Sequence, residues 1–302
     1  FLLCSSGVIA FLSPSININS IDEVKNPARN DRILVFSPHC DDEALAPGGL
    51  ISRAAKKRIP VKVVLITNGD DNIFSTDIEF KKLYPTPAEF VMAGERRQQE
   101  TLAAMRVLGL SERDVVFLGF PDRGIKALYR KNWKKPYRSR GTKDIYAPYS
   151  RIYEKHVLYT GEELSRDIRK IINDFQPTVV IAPHLKDHHP DHRYSAGFII
   201  RILDEVYRAR LAVERPILLT YLVHHPYYPA KKGLKPDSYL LPPFHETFSM
   251  DWLKVMLSEE EEAAKWKAIL EYKSQLPVPE LGHLMKSFIR KNELFESLDY
   301  TA

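Results

Sequence analysis

Short apolar runs that alternate with amphipathic segments are the feature that most constrains the fold of this chain. The apolar runs, which we interpret as strands, cover residues 33–36, 61–67, 115–118, 177–183 and 217–223. The spacing of apolar residues elsewhere predicts helices over 47–57, 88–108, 161–174, 195–208, 259–272 and 281–294. Nearly continuous apolar runs are typical of strands that are buried on both faces of a parallel sheet. The order therefore predicts an α/β fold, a Rossmann-like, doubly wound, mostly parallel sheet with helices on both faces.

The composition permits one large folded domain. Of the 302 residues, 44% are hydrophobic, which is enough for a substantial core, and we expect residues 32–302 to form a single domain. The 44 Lys and Arg against 39 Asp and Glu give a net charge of +5, a small excess for a nucleic-acid-binding protein, so we expect no nucleic acid partner. The two cysteines, Cys4 and Cys40, are too few for a disulfide framework or a cysteine-based zinc site.

The first 31 residues differ in character from the rest of the chain. Residues 1–12 are largely apolar, but a helix that spans a membrane needs about 20 such residues. We interpret this run as the remnant of a signal peptide or membrane anchor, followed by a linker over 13–31. This interpretation predicts a membrane-anchored or exported protein that associates with a membrane or cell envelope through its N-terminus. The alternatives are a first strand of the fold and a cytoplasmic location.

Residues 122–159 interrupt the alternation of strands and helices. This segment has few apolar runs and is rich in Lys, Arg, Tyr and Trp. A structureless segment of this length in a compact domain is usually functional or mobile. Two interpretations remain open: a solvated basic insertion, or a lid beside the site that meets an anionic glycan or lipid headgroups.

Two clusters of ionisable side chains directly follow predicted strands. Residues 37–43 read Ser-Pro-His-Cys-Asp-Asp-Glu after the first strand, and residues 184–192 read His-Leu-Lys-Asp-His-His-Pro-Asp-His on a predicted loop after the fourth. Adjacent carboxylates repel one another and lose hydration when they are buried, unless a cation compensates their charge. Ligands of doubly wound sheets bind at the carboxyl ends of the strands, where both clusters are expected.

The residue types in these clusters are those of a metal centre with open positions. His39, Asp42 and His192 form a set of two histidines and one carboxylate, which suits catalytic zinc and also non-haem iron. Asp41 and His189 remain as a base for water and a donor for an oxyanion, which a metal-dependent hydrolase requires. The alternative is a polar loop without a metal, whose carboxylates cap a helix N-terminus.

The two clusters also resemble the motifs of a known family. Residues 37–43 are similar to the (A/P)HPDDE motif of the PIG-L/LmbE family of N-acetylglucosaminyl deacetylases, and residues 189–192 match its HPDH motif. Further similar segments over residues 32–295 are VLITNG at 64–69, RQQE at 97–100, LG at 108–109, GFPD at 119–122, KA at 267–268 and SQ at 274–275. The resemblance implies an LmbE-like fold.

The resemblance further implies a zinc-dependent N-deacetylase. Such an enzyme would hydrolyse the N-acetyl group of an N-acetylglucosamine-type (2-acetamido) sugar and release acetate and an amino sugar. Its substrate would be a small molecule, glycan or glycolipid that carries N-acetylglucosamine. His39, Asp42 and His192 would hold Zn²⁺, with another divalent metal such as Fe²⁺ as the alternative.

Individual roles for the other site residues are likewise implied by the resemblance. Asp41 would be the general base, His189 would stabilise the oxyanion, and Asp191 would orient His189. Arg97 would contact the substrate, and Asp122 would meet a sugar hydroxyl.

Four further residues near the motifs have expectations of their own. Cys40 stands where the family usually has Pro, and we expect its side chain to point away from the metal, with a soft ligand or an oxidation-sensitive thiol as the alternative. His184 and His188 are expected to be structural or rim residues of their loop. His225 is expected either near the pocket or among core or surface residues.

Two alternatives to sugar deacetylation follow from the same residues. One is another zinc amidase that acts on a non-sugar N-acyl substrate, and the other is a non-catalytic glycan-binding descendant of the fold. A two-metal phosphoesterase would need bridging carboxylates and more ligands than these motifs provide.

Overall fold

Eight strands form one mixed sheet in the computed structural model, which describes residues 16–71, 76, 85–209, 214–226, 228–247 and 249–300. The strands are β1 (Asp22–Glu23), β2 (Ile33–Ser37), β3 (Val61–Thr67), β4 (Val115–Phe120), β5 (Val179–Pro183), β6 (Ile217–Tyr221), β7 (Trp252–Met256) and β8 (Asn292–Ser297). Their order in the sheet is β1-β7-β8-β6-β5-β2-β3-β4, and only β8 runs antiparallel to its neighbours. The predicted apolar leader over 1–12 lies outside the described residues.

Helices cover the sheet and connect most of its strands. The described helices are α1 (Asp42–Leu45), α2 (Gly48–Lys56), α3 (Pro87–Val107), α4 (Ile125–Arg130), α5 (Gly161–Phe175), α6 (Pro190–Arg208), α7 (Glu259–Ile269) and α8 (Pro279–Lys286). None of these helices is long and apolar enough to cross a membrane.

The central strand β2 explains why residues 33–36 are apolar without interruption. Ile33 and Val35 pack into one hydrophobic cluster with residues of α2, α3 and α7, whereas Leu34 and Phe36 pack into a second cluster with residues of α5 and α6. Successive side chains of a strand point to opposite faces of the sheet, so both faces need apolar residues here. The predicted Rossmann-like arrangement, with helices on both faces, is confirmed.

The order of strand addition reverses between β2 and β5. From β2 the chain continues to β3 and β4 on one side, and then crosses to β5 and β6 on the other side. At such a switch point the loops after the two strands diverge and leave a crevice at the carboxyl edge of the sheet. The two polar clusters of the sequence follow β2 and β5, so they meet at this crevice.

The helix after β5 begins five residues earlier than the sequence predicted. Pro190 is the first residue of α6, and the side chain of His189 accepts a hydrogen bond from the N–H of Asp191. Proline is favoured at the first position of a helix because its missing N–H would have no partner there. His192 therefore lies on the first turn of a helix, and the prediction that it lies on a loop was wrong.

The C-terminal part of the sheet was also misassigned. The helix predicted over 281–294 ends at Lys286, and Asn292–Ser297 forms β8 between β6 and β7. Two other strands, β1 and β7, were not predicted. β1 belongs to the predicted linker, so the sheet extends closer to the N-terminus than residue 32. All three strands depend on pairing with distant segments, which a local apolar pattern does not record.

The basic segment 122–159 is packed against the sheet rather than solvated throughout. After α4 it is largely irregular, but Ala147, Tyr149 and Tyr159 are buried in the cluster of α5 and α6. The carbonyls of Asn132 and Trp133 accept hydrogen bonds from the first two N–H groups of α5. Because α5 leads into the amino end of β5, its own start lies at the carboxyl edge, and the segment is held there.

A buried ion pair supports the start of α2. Glu293 of β8 accepts hydrogen bonds from the N–H groups of Gly49 (2.6 Å) and Leu50 (3.0 Å) and from the ammonium of Lys265 (2.7 Å). Both charged side chains are almost fully buried, at 1% exposure for Lys265 and 0% for Glu293. The carboxylate thus partners N–H groups that would otherwise be unsatisfied at the helix start, and it ties β8 to the helix beside the site.

We predict that Glu293→Ala destabilises the protein by about 3–5 kcal/mol, because it leaves the buried ammonium of Lys265 without a counter-charge and two helix N–H groups without an acceptor. Urea unfolding curves measure this loss. The matched control is Glu260→Ala, which removes an ion pair with Lys56 whose side chains are 72% and 67% exposed. Equal midpoints for the two variants would contradict the role of Glu293.

Candidate metal centre and substrate pocket

The loop after β2 is held by the third carboxylate of its Asp-Asp-Glu sequence. Glu43 is fully buried and accepts hydrogen bonds from the hydroxyl of Ser37 (2.8 Å), the N–H of Asp41 (3.1 Å) and the hydroxyl of Tyr272 (2.6 Å). Burial is the largest influence on the pKa of Glu43 and raises it. Glu43 is therefore an anchor of the loop, and the two aspartates before it remain available for chemistry.

Three donor atoms from the two polar clusters form a small triangle. The Nδ1 atom of His39 lies 3.2 Å from Nε2 of His192 and 3.4 Å from Oδ2 of Asp42. The remaining side, from Nε2 of His192 to Oδ2 of Asp42, is 3.1 Å. Asp42 and His192 are 1% and 0% exposed, and the His39 side chain is 12% exposed. The sequence-predicted ligand set is thus brought together by the segment that follows β2 and by the first turn of α6.

The triangle fits a divalent transition metal. Two ligand atoms at ~2.0–2.1 Å from zinc are about 3.3 Å apart at a tetrahedral angle, which agrees with the three sides. The local field also favours a cation. Burial lowers the pKa of His192, but Asp42 and Asp187 outweigh it and raise that pKa to about 9. Oδ1 of Asp42 is buried without a hydrogen-bond partner, so this carboxylate has unused acceptor capacity.

A small pocket of about 70 Å³ opens beside the triangle. The sequence-predicted residues that line it are His39, Asp41, Arg97, Asp122 and His189. Burial, followed by the charge of neighbouring Asp42, raises the pKa of Asp41 well above its usual range. A larger cavity of about 400 Å³ includes Ile33 and Val179 at the opposite edge of the sheet and contains none of the predicted site residues.

The protonation of His189 follows from its hydrogen bonding and surroundings. Its Nδ1 accepts the N–H of Asp191 at 3.2 Å, so the neutral ring carries its proton on Nε2. Burial and the neighbouring His39, His192 and His224 lower the pKa of His189 to about 2. A neutral ring with an Nε2 proton is a hydrogen-bond donor at the pocket.

A match to a family model covers residues 34–203, more than half of the chain. The family is described as PIG-L, GlcNAc-PI de-N-acetylase. This chain belongs to the PIG-L family. The matched region contains both polar clusters and every residue of the triangle.

Solved structures with the same fold agree with PIG-L membership. The A40926 pseudoaglycone deacetylase is 17% identical with a TM-score of 0.55, over 91% of this chain and 99% of that chain. The N,N′-diacetylchitobiose deacetylase of Pyrococcus horikoshii is 19% identical with a TM-score of 0.54, over 92% and 88%. The zinc-inhibited form of a teicoplanin deacetylase is 20% identical with a TM-score of 0.51, over 81% and 85%. At these identities the likeness concerns the fold alone.

Asp187 supports the candidate metal centre, although sequence reasoning gave it no role. Its carboxylate accepts the N–H groups of His189 (2.9 Å), Val223 (2.9 Å) and His224 (3.0 Å), and it lies 3.3 Å from Nδ1 of His192. Burial would raise its pKa, but the field of His192 outweighs burial and lowers it well below the usual range. Asp187 thereby orients His192 and joins the loops after β5 and β6. The sequence signal that could have indicated this role is the position of Asp187 within the second polar cluster, among its histidines.

The histidine that reaches the site from the loop after β6 is His224, not His225. His224 lines the pocket, and one of its ring nitrogens lies within 4.8 Å of the three triangle atoms. His225 points the other way, with Nδ1 at 2.9 Å from the carbonyl oxygen of Pro226 and its ring against His188. His225 does not line the pocket, so of its two expected positions the one away from the pocket is found. Two adjacent histidines offer no sequence signal that distinguishes them.

The carboxylate of Asp191 contacts a different group from the one expected. It accepts the N–H groups of Arg123 (2.6 Å) and Ile125 (3.2 Å) and lies 3.6 Å from Nε2 of His39. Only the backbone N–H of Asp191 binds His189. The carboxylate therefore holds the turn that follows β4, and this turn presents Asp122 to the pocket.

Arg97 reaches the pocket because Gly69 leaves room for it. The guanidinium donates a hydrogen bond to the carbonyl oxygen of Gly69 and occupies the space that a Cβ at that position would need. Gly69 also has a φ of +66°, which favours glycine. Asp122, whose carboxylate accepts the N–H of Asp71 at 2.9 Å, lies across the same pocket.

The remaining motif residues have structural surroundings. Cys40 is fully buried in the hydrophobic cluster of α2 and α3, outside the groups of described residues that can hold a metal, so its side chain points away from the triangle as expected. His184 is buried with Nε2 at 2.6 Å from the carboxylate of Glu296, which agrees with a structural role. His188 is exposed.

We predict that Asp187→Asn weakens zinc binding by roughly 10- to 100-fold, because an amide cannot provide the charge that orients His192. Zinc retained after equilibrium dialysis against a chelator measures the affinity, and thermal melting reports folding. His188→Ala, one position along the chain, is the control and should retain wild-type affinity. Unchanged affinity in a folded Asp187→Asn protein would exclude this role.

The adjacent histidines provide a second matched test. His224→Gln removes a ring at the triangle and should lower zinc affinity about tenfold or more, whereas His225→Gln should leave it unchanged. Calorimetric titration of each metal-free protein with zinc compares them directly. A larger effect from His225→Gln would refute the assignment of His224.

Proposed function

We propose that this chain is a metal-dependent N-deacetylase that hydrolyses the N-acetyl group of an N-acetylglucosamine-type sugar. The observation that carries the proposal is that three atoms able to hold a metal lie together, and that one of their residues, His39, lines a pocket with the buried carboxylate of Asp41 and the neutral His189. Membership of the PIG-L family supports the reaction class. Among structures with this fold, two are named as deacetylases of a pseudoaglycone and of N,N′-diacetylchitobiose, which supports a sugar-type substrate.

His39, Asp42 and His192 would hold the metal through Nδ1, Oδ2 and Nε2. When bound, a divalent metal would polarise the amide carbonyl and lower the pKa of a coordinated water to ~7. The donor set suits Zn²⁺ and Fe²⁺, and we propose zinc as the resident metal. One structure with this fold is described as the zinc-inhibited form of a deacetylase. Activity assays should therefore be run both with stoichiometric zinc and with excess zinc.

Asp41 would move the protons of the reaction. It would take a proton from the attacking water and deliver it to the nitrogen of the breaking C–N bond. Its raised pKa, caused by burial and by Asp42, suits a carboxylate that acts first as a base and then as an acid. The products are acetate and the free amine of the sugar.

His189 would stabilise the oxyanion that develops on the amide oxygen. Its Nδ1 is engaged by the N–H of Asp191, so Nε2 carries the proton that it donates. Because the donor is fixed before the substrate arrives, little reorganisation is needed during the reaction.

Arg97 and Asp122 would bind the sugar. A guanidinium donates to substrate oxygens, and a carboxylate accepts from sugar hydroxyls, so the two walls of the pocket offer complementary partners. The volume of about 70 Å³ is small against typical ligand pockets of ~300–1,000 Å³. The acetamido group and part of one ring would therefore enter, with the rest of the substrate at the mouth.

Substitutions of the adjacent residues Asp41 and Asp42 distinguish loss of the proposed base from loss of a proposed metal ligand. Asp41→Asn should lower kcat for acetate release from an N-acetylglucosaminide by roughly 10²–10⁴-fold, because the base is lost, while the protein still binds zinc. Asp42→Asn should lose zinc binding and activity together, because a ligand is lost. Acetate release and zinc content are measured on the same preparations.

The substrate class is tested with free, thiol-linked, lipid-linked and polymeric N-acetylglucosamine beside non-sugar N-acyl compounds. Turnover of the non-sugar compounds alone would replace the proposal with a general amidase. Glycan binding without acetate release by the metal-loaded protein would indicate a non-catalytic descendant. Wild-type turnover in Asp41→Asn would exclude the proposed base.

A further inference from the structure

The segment 123–143 concentrates positive charge beside the carboxyl edge of the sheet, and its first residue lines the pocket. It contains nine Lys and Arg and no Asp or Glu, although the whole chain has an excess of only five positive charges. All nine side chains are exposed: Arg123, Lys126, Arg130, Lys131, Lys134, Lys135, Arg138, Arg140 and Lys143. Among the described residues, only Arg140 has a carboxylate partner, at 3.9 Å from Asp71. A solvated surface usually mixes both signs of charge, so this segment is unusual.

Hydrogen bonds hold this basic segment in place next to the pocket. Arg123 lines the pocket, and its N–H is bound by Asp191. The carbonyls of Asn132 and Trp133 accept from the start of α5 at the carboxyl edge of the sheet. The N–H of Tyr137 donates to the carbonyl of Tyr159 at 2.8 Å. The segment is therefore held at the carboxyl edge of the sheet, with Arg123 at a pocket whose lining also includes the carboxylates of Asp41 and Asp122.

Two apolar side chains are exposed beside the basic segment. Tyr146 is 38% exposed and Leu158 is 40% exposed, and the two residues form a β-bridge with each other. The bridge lies next to the basic segment because Tyr159 follows Leu158 and binds Tyr137. Cations around exposed aromatic and aliphatic groups suit a lipid surface, which offers anionic headgroups and an apolar interior. A soluble polyanion would give the apolar pair no partner.

We infer that the basic segment and the Tyr146–Leu158 bridge form a docking surface for an anionic lipid membrane, with the pocket mouth facing the membrane. Lys and Arg contact the headgroups, and the apolar pair enters the headgroup region. This binding does not require the proposed hydrolysis and can be measured without turnover. Residues 1–12 are the same in every variant compared below, so a difference in binding between variants reports the proposed docking surface.

The test compares the full chain with a variant that removes four cations outside the pocket lining, Lys126→Gln, Lys131→Gln, Lys134→Gln and Lys135→Gln. Binding is measured by cosedimentation with phosphatidylcholine vesicles that contain or lack phosphatidylserine. We expect the wild type to bind the anionic vesicles more tightly, and added salt to weaken that binding. The quadruple variant should lose roughly a hundredfold in affinity for the anionic vesicles.

The matched control removes four exposed cations at the opposite edge of the sheet, Lys25→Gln, Arg29→Gln, Lys57→Gln and Arg113→Gln. It carries the same net charge as the first variant and should bind anionic vesicles like the wild type. Equal losses in the two quadruple variants would overturn the inference, because net charge alone would then explain the binding. Retention of wild-type binding by the first variant would overturn it as well.

A third variant distinguishes a membrane from a soluble polyanion. Tyr146→Ser with Leu158→Ser should weaken vesicle binding several-fold and leave retention on a heparin column unchanged, because heparin has no apolar phase. Retention on heparin by a wild type that does not bind anionic vesicles would overturn the lipid assignment. None of the altered residues belongs to the proposed catalytic machinery, so acetate release from a small soluble substrate should be unchanged.

Discussion

The burial of several carboxylates around two imidazoles at the carboxyl edge of β2 and β5 is the constraint on which the site depends. Asp42 and Asp187 lie within 3.4 Å of His192, and Asp122 and Asp191 lie 3.5–3.6 Å from Nε2 of His39. So many buried negative charges are unfavourable unless hydrogen-bond donors or a cation compensate them. All four carboxylates accept backbone N–H groups, Asp42 from His39 at 3.0 Å, but Oδ1 of Asp42 has no hydrogen-bond partner and is left for a metal.

Much of the rest of the structure holds these charges in position. Three residues from the C-terminal part of the chain form hydrogen bonds to this region. The hydroxyl of Tyr272 donates to Glu43, and the side-chain amide of Gln275 donates to the carbonyl of Cys40 at 2.6 Å. The carboxylate of Glu293 accepts an N–H at the start of α2. These contacts join segments that are more than 200 residues apart in the sequence. The shape of the loop after β2 therefore depends on distant parts of the chain as well as on its own hydrogen bonds from Ser37 and Asp41 to Glu43.

Local sequence patterns predicted the elements that are buried on both faces and the residues that carry the chemistry. The runs over β2, β3, β4 and β5 are apolar because both sheet faces are covered, so their pattern is visible without neighbours. The pairing of β8 between β6 and β7 was missed because its residues, Asn-Glu-Leu-Phe-Glu-Ser, gain their burial from strands far away in the chain. The start of α6 was missed because the motif around Pro190 was interpreted as a loop.

The sequence by itself determined strands β2 to β6, the residue types of the candidate metal centre and the clustering of His39, Asp42 and His192, because each depends on residue type and on the parallel arrangement of strand ends. Only the tertiary structure decided which of two adjacent histidines faces the pocket, that Asp187 supports His192, and that Asp191 binds the turn before α4. These assignments depend on the direction of individual side chains, which is set by packing between distant segments. The same distant packing holds the basic segment at the carboxyl edge of the sheet.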